Sequence, residues 1–99
     1  MNKYAVEFVG TFIFLSVIIR ATTNPKWETL APILIAVGLL AAIIFSAEIS
    51  GAHLNPAVSV MQVFREVLPK EELLPYVAAQ VMGGLAAHAF ATWTKPGPL

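Results

Sequence analysis

The chain has 99 residues, 58% of them hydrophobic and 12% charged, with a mean hydropathy of +0.75. That composition belongs to membrane proteins, and the length leaves room for one domain. The formal net charge is zero and there is no cysteine, which excludes an electrostatic footprint for nucleic acid, disulfides and thiolate chemistry.

Lys3 opens into an apolar stretch that could be read as a secretory leader. Glu7 near its start, and the lack of a small-residue cleavage site before Arg20, make it a retained span instead. This first span covers about residues 4–19. It is short for a hydrocarbon core of about 30 Å, but Lys3 and Arg20 bracket it and can snorkel to the interfaces. After the connection "TTNPKWE" (22–28) comes a second span, about 29–47, with no charge in it. Glu48 follows that span and is expected in water or headgroups. A third span, about 73–94, holds no Asp, Glu, Lys or Arg and a single histidine, His88, and is reached through "LPKEE" (68–72). Trp27, Tyr76 and Trp93 lie near span ends, where amphipathic rings settle.

Residues 50–67, beginning "SGAHLNPAVS", remain. Asn55 followed by Pro56 is a helix start, because Asn caps free amides and Pro fits the first helical position. Apolar residues at 57, 60, 61, 64 and 67 continue with a helical period. Twelve helical residues rise about 18 Å, little more than half the hydrocarbon core. Extended, Ser50 to Leu54 reaches about 16 Å. The two lengths predict a chain that dips to the midplane, turns at Asn55 and Pro56, and returns as a half-helix; a surface amphipathic helix is the alternative. Backbone at that depth is tolerated only inside protein or beside a water-filled cavity, so the stretch predicts a polar path.

These residues carry a family resemblance. "SGAHLNPAVS" resembles the first signature loop of the aquaporins and aquaglyceroporins, the major intrinsic proteins; "AVEFVGTF" (5–12) and "YVAAQVMGGLAAH" (76–88) resemble the family's first and third helices. The resemblance implies an all-α membrane protein, three transmembrane helices plus one re-entrant half-helix, equal to half of the family fold. It implies a passive channel for water or small neutral solutes such as glycerol, with no enzymatic chemistry, cofactor or metal. Asn55, Pro56 and Ala57, with the carbonyls of Gly51, Ala52, His53 and Leu54, would line the path. Glu7 would accept hydrogen bonds from loop amides, with Thr11 and Gln80 in the same supporting group. His53 is expected to pack and hydrogen-bond rather than gate. Family constriction positions project onto Ile35, Ile43, Ala52 and Val58, and Val58 stands where two-repeat members carry an arginine in their second copy.

Family members contain two such halves, inverted, whereas this sequence holds one. Lys3, Arg65 and Lys70 fall on one side of the membrane, and Arg20, Lys26 and Lys95 on the other. Three against three gives the positive-inside rule almost nothing to act on apart from the terminal amine, so the expected partner within the bilayer is a second, antiparallel copy. Four such dimers, eight chains, would match the family's tetramers of pores. The competing expectations are a small dual-topology transporter that uses Glu7 to couple protons, and a non-conducting scaffold or channel fragment. On the third span, Gln80, Gly84 and His88 form a polar stripe read as an inter-helix hydrogen-bonding face, while Ala79, Gly83, Ala87 and Ala91 form a stripe that permits close helix approach.

Overall fold

The computed structural model describes residues 1–95. Asn2 starts the first helix by accepting a hydrogen bond from Ala5 N–H, and α1 runs over Lys3–Thr23. It therefore passes Arg20, which the sequence reading takes as the outer bracket of a shorter span. The extra turn is held by Thr22 and Thr23, whose hydroxyls donate to the carbonyls of Ile18 and Ile19. Arg20 reaches across to donate to the carbonyl of Thr94 at 3.0 Å. A single 3-10 turn, Pro25–Trp27, leads into α2, Ala31–Ser50. Glu48 consequently lies inside α2 rather than after it, and is exposed on the face turned away from α1.

α3, Pro56–Phe64, begins on the Asn55 cap. It ends three residues earlier than the apolar period suggests, because Glu66 adopts a left-handed φ of 62° and Val67 and Leu68 fold their N–H groups back onto the Gln62 carbonyl. No glycine marks that stop. A further 3-10 turn, Lys70–Glu72, precedes α4, Leu73–Trp93.

α1 is the central helix, packed against α2 on one side and α4 on the other, with α3 lying on α4. Close approach is set by small residues. A Cβ at Gly83 would sit 2.6 Å from the Phe8 carbonyl, and one at Gly38 would sit 2.8 Å from Val17. Of the small-residue stripe on α4, Gly83 and Ala87 are buried and Gly83 meets α1 directly, so the stripe serves packing within the chain. The ion pair between Lys3 and Glu72 brings the starts of α1 and α4 to one end, and Arg20 with Thr94 brings their finishes to the other.

α1, α2 and the segment Lys70–Trp93 are each long and apolar enough to cross a membrane. On α2 the outer stripe of Ile33, Val37, Leu40 and Ile44 is more than half exposed. A row of large aliphatic side chains in that position suits lipid or a partner helix and would be unfavourable in water.

Candidate functional site

The link between α2 and α3 is a chain of left-handed residues. Gly51 (φ 85°), Ala52 (φ 52°) and Leu54 (φ 57°) all occupy that region, so the loop is coiled and not extended as its length alone suggests. Only Gly51 adopts it freely; for Ala and Leu it costs roughly 1 kcal/mol or more each. The compensation is a buried carboxylate. Glu7 is fully enclosed, and its Oε2 accepts from Ser50 Oγ (2.7 Å) and His53 N–H (3.0 Å), while Oε1 accepts from Leu54 N–H (2.8 Å) and Gln80 Nε2 (2.9 Å). Turned amides converging on one anion form a nest, here filled by the protein's own side chain.

The rest of the loop is pinned from α4. Tyr76 donates to the Ser50 carbonyl at 2.8 Å and lies against the His53 ring, centroids 4.9 Å apart. Tyr76 is thus buried, whereas its position near a span end suggests an interfacial ring. Ser59, fully buried on α3, contacts His53 Nδ1 at 2.8 Å and accepts from Gln80 Nε2 at 2.8 Å. Sequence reasoning missed Ser59; the available signal was a lone small hydroxyl one turn after Asn55 in an otherwise apolar helix start.

These bonds fix the carbonyls. Among the described residues all peptide bonds are trans, so each C=O points opposite to the next residue's N–H. The N–H of Ala52 points to Ser50 Oγ (3.3 Å), and those of His53 and Leu54 point to Glu7. The carbonyls of Ala52 and His53 therefore point away from Glu7 and that of Gly51 away from Ser50 Oγ, and among the described residues none of them accepts a hydrogen bond, nor does that of Leu54. Asn55 Oδ1 accepts from Ala57 N–H at 2.8 Å, and the Asn55 amide NH2 has no partner among the described residues.

The turn sits at mid-height. Leu54, Asn55 and Pro56 share a groove of about 290 Å³ with Thr11, Phe14 and Leu15 from the middle of α1 and Gln80, Val81 and Gly84 from the middle of α4. From there nine residues of α3 rise about 14 Å. Asn55, Pro56 and Ala57 are exposed, and Ala52 and Val58 half-buried. Ile35, half-buried, and Ile43, exposed, lie on α2 about 12 Å apart along its axis.

Thr11 of the supporting group and His88 of the polar stripe behave differently from the rest. Thr11 is buried, but its hydroxyl makes no hydrogen bond to the loop; it packs beneath Gly83. His88 is exposed and its ring takes no hydrogen-bond partner among the described residues, so the polar stripe of α4 is bonded only at Gln80.

A buried carboxylate folds an Asn-Pro turn at mid-height of a bundle with three helices of membrane-spanning length, and sequence comparison gives this architecture a family. The major intrinsic protein family model matches residues 1–97, and the chain belongs to that family. It is a multi-pass integral membrane protein. It is 36% identical over 96 residues to aquaporin Z of Brucella melitensis, covering 90% of this chain and 42% of that protein. It is 36% identical over 93 residues to glycerol uptake facilitator protein-like 6 of Lactiplantibacillus plantarum, again covering 90% and 42%. Against the propanediol uptake facilitator of Salmonella typhimurium it is 34% identical, covering 86% and 34%. The chain spans less than half the length of these curated relatives.

Proposed function

We propose that the chain forms half of a passive pore for water and small neutral solutes such as glycerol, with no chemistry and no cofactor, and that a second, inverted copy supplies the other half. The observation that carries this reading is the set of unpaired carbonyls at Gly51, Ala52, His53 and Leu54, ending at the free amide of Asn55. Acceptors in series followed by a donor suit a column of water or hydroxyl groups, each of which both donates and accepts. Asn55, Pro56 and Ala57 stand at the midplane end of this path, where the amino end of α3 carries about half a positive charge. Two such ends meeting from opposed copies oppose cations and a continuous proton wire.

One half-helix reaches only the midplane, and the relatives are more than twice as long, so the site needs a counterpart. The charges support an inverted copy, because Lys3, Arg65 and Lys70 lie at one end and Arg20, Lys26 and Lys95 at the other. In that dimer Ile35 of one copy would oppose Ile43, Ala52 and Val58 of the other. Both mouths are then apolar and lack the arginine of the two-repeat members, which favours breadth of solute over strict selection of water. Four dimers would make the eight-chain equivalent of the family's tetramer.

Proton coupling through Glu7 is disfavoured by its surroundings: each oxygen is met by two donors, and three of these four partners are N–H groups with nothing to accept a carboxyl proton. The test of the path uses the natural absence of cysteine. In Ala52→Cys, a water-soluble thiol reagent should lower vesicle swelling, and should do so from either face of the membrane. Labelling that leaves flux unchanged would remove Ala52 from the path, and inhibition from one face only would contradict the inverted pair.

A further inference from the structure

We propose that Glu7 sets the tautomer of His53 through a one-way chain of hydrogen bonds, making the ring Nε2–H a fixed donor on the solute path. The place on a path rests on the pore reading above; the chain of bonds does not.

The direction of each bond follows from the one before. Gln80 presents the same nitrogen to Glu7 Oε1 and to Ser59 Oγ. Exchanging the amide oxygen and nitrogen would set a lone pair against the carboxylate, so Glu7 fixes Gln80 as a double donor. Ser59 Oγ therefore accepts a hydrogen bond from Gln80 and has its own O–H to donate. Among the described residues the only acceptor within reach is His53 Nδ1 at 2.8 Å. Accepting there, the neutral ring carries its proton on Nε2.

That nitrogen has no hydrogen-bond partner among the described residues and is not sealed inside the bundle. It lies on the side of Gly51, where an added Cβ would be 3.4 Å from it, and Gly51 is exposed. The ring is held by Tyr76 on its face and Ser59 on its edge, and only 7% of the residue is exposed. The donor is thus rigid, on the side of Gly51 and two residues from the Asn55 amide. Ser59 and Gln80 are positioning residues that act through His53. The opposite tautomer would offer a bare lone pair at the same place, attractive to a proton and repellent to a solute oxygen.

The experiment uses the full chain with ¹⁵N-labelled histidine in detergent micelles, above the range in which histidine protonates. His53→Asn assigns the signals against His88. Long-range ¹H–¹⁵N spectra should show His53 neutral, protonated on Nε2, with Nδ1 bare. Ser59→Thr, which keeps the hydroxyl, should retain that state. Ser59→Ala should give a mixture of tautomers and lower glycerol flux about two- to tenfold, the loss of one hydrogen bond to solute. A proton on Nδ1 in the parent protein overturns the proposal whatever the fate of the variants, as does an unchanged tautomer in Ser59→Ala. If Ser59→Ala does not fold, Gln80→Met breaks the chain one bond earlier and is read in the same way. A pure Nε2–H tautomer in a chain that conducts nothing would keep the relay and overturn its place on a path.

Discussion

Glu7 sits where a charge would cost about 2.5 kcal/mol or more if it met lipid, and four donors around it offset that cost. Glu7→Gln keeps the shape but replaces one acceptor oxygen by an NH2 that faces donors. We expect a loss of about 2–4 kcal/mol of stability, read as a lower unfolding midpoint in detergent, with flux lost equally with and without a proton gradient. Flux that survives Glu7→Gln but loses its response to a proton gradient would instead support a coupling role. Thr11, one turn on, makes the contrast. Its buried hydroxyl has no partner among the described residues, so Thr11→Val is expected to be neutral or stabilising in the same assay. A loss as large as that of Glu7→Gln would contradict the assignment of Thr11 to packing alone.

At the scale of elements, the bundle depends on how closely α1 and α4 approach. A methyl at Gly83 would meet backbone, the Phe8 carbonyl at 2.6 Å, whereas one at Gly84 would meet the tip of Leu15 at 3.1 Å. Gly83→Ala should therefore cost about 1–3 kcal/mol and Gly84→Ala clearly less, measured as the difference between their unfolding midpoints. Equal effects would mean that the helices adjust by sliding apart. The long apolar runs of all three spanning helices and the Asn55-Pro56 start of α3 were legible in the sequence, because hydropathy and capping act locally. The left-handed Ala52 and Leu54 were not, since neither residue type favours that conformation and the force that imposes it lies more than forty residues away, at Glu7. The end of α3 was equally hidden: Glu66 is a good helix residue and turns only because its neighbours fold back on Gln62. The meeting of Glu7 with the loop was reachable from family resemblance but from no spacing in the chain. Ser59 and the inward Tyr76 escaped because burial depends on which face the bundle closes.

For the whole molecule, the question is what stands opposite the Asn55 turn. Equal numbers of Lys and Arg at the two ends predict insertion both ways. Reporters fused after Leu99 should be found on both sides of the membrane in comparable amounts, and adding lysines at one end alone should bias orientation and reduce flux together. A single orientation in the parent chain would contradict the inverted pair. A pore made of two inverted copies is tested by reconstituting the purified chain alone and following osmotic swelling with water and with glycerol, for the parent and for Asn55→Asp. Such a pore should make the parent's vesicles swell faster than protein-free vesicles, with flux or selectivity altered in Asn55→Asp. Swelling no faster than protein-free vesicles for both solutes would contradict it, and would mean that this half requires a different second half to conduct.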